Sequence, residues 1–482
     1  MKKKNIYVNQ SQELITLFEE AGNNGKIMCV PMDYAKKEHV VMFCNGNGDI
    51  LRKPFSVKNS PEGMEYMIEQ LKRSCNLRHI NHNHVFFGGE DPGSYADNFV
   101  RTLRSGGWLV ANVNARDAKD QRSNLQASTD RLDLIGIAKT MLNRRGNCTP
   151  SQAGIYLNLR NLVRHRRRLV VMMTEVKNRT HTVVDRLFPG FLDENKSGIT
   201  PFSKGSLYLM ENRFSTSQIK RRRLKTLIET LRRLGTPKPE FSAGKLQQYA
   251  TQVLNPPEEY VITLQFSLSQ HVKLYGCLQG NVEQMEKEIA IWLAQTQGAF
   301  LTTVRGIGIV LASGVSAEIG DPNEQKPLNN LASYSGIIPK VKQSGGPEGE
   351  KYTGHVKKRS NRILKDYLVQ SASHMGLHGP EDLMADYKRR DAAGQHADFG
   401  MARRYLRMAM CLMRTSQVYL PPNLRKKGGN PKERANYYSM MWPYVRDKWQ
   451  RAGAIEAAFA DDRPLGRWRN MVQDLYGIKL TL

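Results

Sequence analysis

Cysteine is scarce in this sequence and never paired. The six cysteines, Cys29, Cys44, Cys75, Cys148, Cys277 and Cys411, are scattered, and no two stand in a CxxC spacing. A zinc ribbon and a disulfide framework are thereby excluded, and a reducing compartment is expected. Long apolar runs are also missing. None reaches the roughly 20 residues that cross a bilayer, and Met1-Lys2-Lys3-Lys4-Asn5 carries no apolar signal core. The expectation is a cytoplasmic protein with no membrane partner. Acidic residues are few, 45 Asp+Glu against 72 Lys+Arg, for a formal net charge of +27. Such an excess points to a polyanion, DNA or RNA, ahead of an anionic membrane surface. No internal repeat and no long low-complexity segment is present. The chain is 40 % hydrophobic over 482 residues, enough for roughly three domains with real cores.

Against that basic background, four acids stand out: Asp33, Glu90, Asp130 and Asp133. Asp33 ends the apolar run Ile27–Met32, and Glu90 ends the run Val85–Gly89. Asp130 and Asp133 are three apart in a helical stretch and so share one face. Clustered carboxylates in a cationic chain suit a hard divalent cation, Mg²⁺, held beside a nucleic-acid phosphate. Any one of them alone would read as a solvated surface residue. Asp91, Asp117 and Asp120 lie nearby in loop-like sequence. His79, His82 and His84 fit no common zinc spacing and read as a polar loop.

The surrounding pattern is α/β. Strands are predicted over 26–33, 39–44, 50–57, 84–88 and 108–113, with helices over 10–21, from Ser60-Pro61-Glu62 onward, over 94–104 and over 128–143. Asn45-Gly46-Asn47-Gly48-Asp49 is a hairpin turn, and Ser60 and Pro61 are helix-start residues. The order βββαβαβα is that of an RNase H-like (RuvC-like) domain, a fold that gathers carboxylates from the first strand, the fourth strand and the last helix.

The rest reads as mainly helical. Two basic runs, Arg164-His165-Arg166-Arg167-Arg168 and Lys220-Arg221-Arg222-Arg223, are either solvated helix faces or phosphate contacts, and the global charge favours phosphate. Leu268, Val272, Tyr275, Leu278, Val282, Met285, Ile289 and Trp292 follow steps of three and four. They suit a coiled-coil-like arm or a helix packed on its own domain equally well. Val304–Ala312 has the form of a helix-hairpin-helix, in which Gly306 and Gly308 would let backbone amides approach phosphate; a plain tight turn is the alternative. Gly336–Gly354 reads as a Gly-rich basic loop holding Ser344, for which ordinary turn chemistry is the better reading of the residues alone, since no activating base is readable and His355 reads as a surface residue. The stretch beyond 420, with Trp442, Trp449 and Trp468, reads as a small helical appendage. The expected division is an arm over 1–25, the catalytic domain over 26–185, a basic helical linker over 186–300, a mostly helical domain over 301–415 and an extension over 416–482.

Taken together, these blocks resemble the DEDD transposases of the insertion-sequence family one hundred and ten, the bridge-RNA-guided serine recombinases. Asp33 followed by Lys36–His39, the block Glu90-Asp91-Pro92-Gly93-Ser94-Tyr95, Val113–Arg116 and Thr129–Asp133 carry the first half of the likeness. Gly306-Ile307-Gly308, Ala317–Asp321, Leu331–Gly336, Pro339 and Gln343-Ser344-Gly345 carry the second. The chain departs from the family pattern at Pro31, at Ser360, where a glycine is usual, and in its longer tail.

The resemblance implies that the four acids bind Mg²⁺ and that Ser344 attacks a DNA phosphate to give a covalent phosphoserine. It further implies a structured guide (bridge) RNA that pairs with donor and target DNA. A homo-oligomer, dimer or tetramer, would draw acids and serine from different subunits, in a bacterial cytoplasm and on the nucleoid when DNA-bound. Two other classes compete with this reading. A RuvC-like junction-resolving endonuclease would cleave without an adduct, and a non-catalytic nucleic-acid scaffold would need none of the acids.

Overall fold

The run Met28-Cys29-Val30-Pro31-Met32-Asp33 is apolar at five consecutive positions, which fits a strand covered on both faces. In the computed structural model it is the central strand. The structure describes residues 10–90, 95–122, 129–148, 154–212, 214–324, 328–343, 351–356, 360–425 and 430–482, with the backbone alone for 339–343 and 351–356. The chain folds as two compact units, residues 1–151 and 152–482. The five-part division expected above is finer, and its 26–185 segment runs across this boundary.

In the first unit, α1 (Gln12–Ala21) precedes β1 (Met28–Asp33), β2 (Glu38–Asn45) and β3 (Ile50–Lys58). Then come α2 (Pro61–Arg78), β4 (Val85–Glu90), α3 (Asp97–Ser105), β5 (Leu109–Asn112), α4 (Ala115–Asp120) and α5 (Asp130–Leu142). The sheet order is β3-β2-β1-β4-β5. β1 runs antiparallel to β2 and parallel to β4, and β4 runs parallel to β5. Strand periodicity splits the core in two. Met28, Val30 and Met32 face one side with Met67, Leu71 and Phe99; Cys29 and Phe86 face the other with Phe18, Leu134, Ile137 and Met141.

Local chemistry fixes the connections. The Asn45 side chain accepts from the amides of Asn47 (3.0 Å) and Asp49 (2.9 Å), and Gly48 takes φ +95° in the hairpin turn. Ser60 accepts from Gly63 N–H at 3.2 Å to cap α2, with Pro61 at its first position. One expectation is corrected here. Asp117 and Asp120 lie in α4, not in a loop; this six-residue helix is capped by Asn114 and buries only Ala118, too little for a hydrophobic period to show.

The second unit is helical around one long antiparallel pair, α6 (Gly154–Leu187) and α12 (Glu258–Ala294). Arg166 meets Glu286 near one end and Lys177 meets Tyr275 further along, which fixes the antiparallel sense. Leu169, Val176, Tyr275, Leu278 and Val282 fill the seam. The three-four pattern of α12 is thus a seam within the chain. Between them, α7 (Glu194–Ser197), α8 (Lys204–Glu211), α9 (Thr216–Arg221), α10 (Leu224–Arg233) and α11 (Pro239–Gln252) close on a separate core of Phe188, Phe191, Phe214, Leu227, Leu231 and Leu246.

After α12 come α13 (Ile309–Ile319), α14 (Leu328–Ser335), the antiparallel strands β6 (Pro339–Gln343) and β7 (Lys351–Val356), α15 (Arg362–His378), α16 (Glu381–Ala392) and α17 (Ala397–Thr415). The last helices are α18 (Pro431–Arg451), α19 (Ile455–Phe459) and α20 (Pro464–Tyr476). Two more expectations are corrected. The Gly-rich stretch 336–354 contains a strand pair. The tail is no appendage: Trp442, Trp449 and Trp468 are buried in the same core as Ile307, Val315, Leu368 and Tyr405. At about 1.5–3 kcal/mol for each buried large side chain, three tryptophans make the tail integral to this core.

Candidate carboxylate centre

Asp33 and Glu90 are the last residues of β1 and β4, and the parallel register pairs them directly. Two features let these strand ends approach closely. Pro31 lies opposite Gly88, where a Cβ would come within 2.6 Å of the Ala111 carbonyl. At Gly89 a Cβ would come within 2.2 Å of the Met32 carbonyl, so side chains are excluded beside both acids. Pro31 has no N–H to donate, and β1 pairs with β2 on either side of it, at Met28, Cys29, Met32 and Asp33. The strand continues straight to Asp33.

Asp130 and Asp133 occupy the first turn of α5, where negative side chains complement the helix dipole. Thr129 caps the helix by accepting from Leu132 N–H at 3.3 Å. Leu134, Ile137 and Met141 anchor α5 to the sheet face below. At Gly136 a Cβ would meet the Ala118 carbonyl at 2.3 Å, so α4 and α5 pack in backbone contact.

The electrostatics show that these acids share one neighbourhood. Burial pushes the Asp33 carboxyl up to about 6, and the charges of Asp133, Asp130 and Glu90 add to that; Arg122 partly offsets it. Burial likewise raises Glu90, which Arg122 lowers and Asp133 raises. Arg122 is a residue the sequence reading missed. It pairs directly with Asp133, both side chains being mostly buried. The available signal was charge balance: carboxylates gathered at one sheet edge call for a counter-cation, and Arg122 stands just past α4.

The donor chemistry suits a hard divalent ion, all carboxylate oxygen with negative charge at Asp33 that Arg122 only partly offsets. Among the described residues, no three His, Cys, Asp or Glu side chains converge on one point. Arg122 is paired with Asp133 in this arrangement.

The other expected site residues are placed as follows. Arg164 makes a two-pronged pair with the buried Glu318, at 2.7 and 3.0 Å, joined by Arg160 at 3.4 Å. Arg166 binds Glu286 and Arg167 binds Asp366. Three of the four arginines expected on phosphate therefore hold α6 to its neighbours, and Arg168 is exposed. Lys220 donates to Val253 O and Asn255 Oδ1, and burial lowers Arg222, which donates to Asn212 O. Arg221 and Arg223 are exposed. Gly306 takes φ +88° in the turn before α13, and Gly308 is the N-cap of α13. Gly306 N–H donates to Tyr444 Oη at 3.1 Å. Ser344 and Asp91 lie outside the described residues. Among the described residues, no helix is long and apolar enough to cross a membrane.

Two family models match this chain. One, for DEDD transposases of the IS110 kind, covers residues 30–189; the other, for the IS116/IS110/IS902 transposase family, covers residues 298–388. Together they take in more than half of the sequence. The chain belongs to the IS110 family of transposases. The DEDD match spans Asp33, Glu90, Asp130 and Asp133, and the second spans Gly306 through Ser344. Among curated relatives, the transposase of insertion element IS1328 from Yersinia enterocolitica is 30% identical over 118 residues, covering 24% of this chain and 33% of that protein. An uncharacterized 44.8 kDa protein of insertion element IS116 from Streptomyces clavuligerus is 24% identical over 271 residues, covering 55% of this chain and 65% of that protein. The chain spans less than two thirds of the length of these IS110-type relatives.

Proposed function

We propose that this IS110-family protein is a DNA transposase whose first unit is an RNase H-like nuclease centre and whose nucleophile is Ser344. The observation that carries the reading is the pairing of Asp33 with Glu90 at the ends of two parallel strands, beside the acidic first turn of α5. The strand order β3-β2-β1-β4-β5, with β2 alone antiparallel to both neighbours, supports the fold assignment.

Asp33, Glu90, Asp130 and Asp133 would hold Mg²⁺, which when bound neutralises phosphate charge and favours the in-line displacement. Asp33, held up to about 6 by burial and the neighbouring carboxylates, would have to be deprotonated to serve as a ligand. Arg122, released from Asp133, would take a non-bridging phosphate oxygen. The Ser344 hydroxyl forms a bond to phosphorus as one strand's bridging oxygen leaves and takes up a proton. Attack by the hydroxyl of another strand reverses the step. One P–O bond forms for each one broken, so exchange needs no nucleotide triphosphate. Guidance by a structured bridge RNA and assembly as a homo-oligomer, with acids and serine from different subunits, complete the proposal.

The test incubates the protein with Mg²⁺, labelled donor and target DNA and the RNA flanking its own element, then separates products under denaturing conditions. The expected result is a protein–DNA adduct lost in Ser344→Ala and in Asp33→Asn. Cleaved DNA with no adduct would replace this reading with a hydrolytic junction nuclease. No strand breakage by the parent protein beyond that seen with the four acid variants would leave only a scaffold.

A further inference from the structure

The turn at 304–308 is braced by α18. Lys448 of α18 donates to the carbonyls of Thr302 (2.5 Å), Val304 (3.2 Å) and Ile307 (2.6 Å). One turn earlier on the same helix, Tyr444 accepts the Gly306 N–H, and the Lys448 ammonium stands 4.0 Å from its ring centroid. The exposed Arg305 is therefore presented from a fixed loop.

Beside Arg305 opens a cavity of about 730 Å³. Tyr437, Met440 and Tyr444 of α18 form one wall, with Tyr419 and three prolines on others and Glu381 among the lining residues. The space exceeds that of one nucleobase. The walls are largely apolar and aromatic, and the Tyr419 and Tyr444 hydroxyls already have partners within the protein. Asp382, the other lining acid, already accepts from Tyr419 Oη at 2.6 Å and from Arg404 at 2.9 Å. Glu381 is thus the carboxylate left to face a ligand. It would repel a phosphate and accept from N–H groups on the edge of a ring. Among the lining residues phosphate is attracted at Arg305, and Arg425 stands over the Tyr419 ring, 5.0 Å from its centroid.

A flat ring with edge N–H donors, tied to a phosphate outside, is a nucleotide whose base is unpaired. A proline-rich peptide would meet the same aromatic walls, but it lacks N–H groups at its prolines and leaves Arg305 without a counter-charge. We infer that this cleft takes one unpaired base of single-stranded DNA, with the adjoining phosphate on Arg305. This rests on the DNA-transposase reading for the identity of the polymer, and it is independent of the carboxylate centre.

The test uses the full-length protein and a short single-stranded DNA oligonucleotide carrying one 2-aminopurine. Its fluorescence is quenched on stacking, and affinity is read by anisotropy across a salt series. Tyr437→Ala should weaken binding roughly ten-fold and abolish the quench, while Tyr437→Phe stays near the parent protein. Met440 is 73% exposed, so Met440→Ala leaves the core intact and should still weaken binding a few-fold. These changes should leave the slope of log affinity against log salt unchanged, whereas Arg305→Gln should flatten it by about 0.7. Parental affinity and quench in both Ala variants would overturn the inference. Tighter binding of the matching RNA would overturn the DNA assignment, and displacement of the oligonucleotide by a proline-rich decapeptide would replace the base with a peptide. Asp33→Asn separates the two readings. If it abolishes cleavage and keeps the quench, both stand; if cleavage survives, the catalytic proposal falls and the base cleft remains.

Discussion

Asp33 sets the pH behaviour of the first unit. Its folded-state value of about 6 lies above the ordinary 3.8. The folded protein therefore holds this proton more tightly than the unfolded chain. The associated stability is fully present below about pH 4 and is lost as pH rises through 6. Above pH 6, Asp33→Asn should stabilise the cation-free protein by about 1–2 kcal/mol, with the gain vanishing toward pH 4, in melts run with chelator. Divalent binding should release about half a proton from Asp33 at pH 6 and close to one near pH 5, measurable by titration calorimetry in buffers of different ionisation enthalpy.

Arg122 acts on the same carboxylates. Arg122→Gln should lower the melting temperature without metal and enlarge the rise produced by Mg²⁺, because the cation then relieves more repulsion. An unchanged Mg²⁺ response would show that Arg122 does not compete for the site. The four acids were legible because two end apolar strand runs and two share a helix face. Arg122 was not, because its role depends on where a loop residue falls in space.

Among the elements, α6 shows where reading charge by sequence alone misleads. Arg164 and its neighbours form the densest basic run, yet three of them meet carboxylates contributed by α12, α13 and α15. The partners lie far away in sequence, so the pairing was invisible there. Burial would raise Glu318, but the bonds from Arg164 and Asn361 and the charges of Arg160 and Arg164 outweigh it and hold the carboxyl low. Arg164→Ala should destabilise the second unit by about 3 kcal/mol in urea unfolding, since it weakens the pairing of a buried charge. It should leave the salt dependence of DNA binding unchanged. Arg221→Ala with Arg223→Ala should do the reverse, flattening the salt slope by about two with no change in stability. The α12 periodicity was readable as a seam; its partner, α6, was not, because two helices separated by seventy-odd residues can pair only once the intervening bundle has folded.

For the whole molecule, two units with separate cores predict unfolding that is not two-state. Scanning calorimetry should give a calorimetric enthalpy above the van't Hoff value, and Asp33→Asn should move only one of the component transitions. A single transition moved as a whole would show that the units melt together. The order of strands and helices along the first unit followed from strand and turn signals, whereas the tail was misread because its tryptophans mark a core without saying whose. β6 and β7 were hidden by glycines that suggested a loop.

The α6–α12 pair also sets a length. At 1.5 Å per residue, the 37 residues of α12 extend about 55 Å. Stacked base pairs advance about 3.4 Å each, so this rod measures off roughly sixteen of them, about one and a half turns of duplex. One end joins the core that carries Arg305, and the other joins the small bundle that exposes Arg221 and Arg223. On the DNA-transposase reading, contacts at the two ends of this rod lie that far apart, and shortening α6 and α12 by matched heptads should shift the footprint on DNA in steps of about three base pairs.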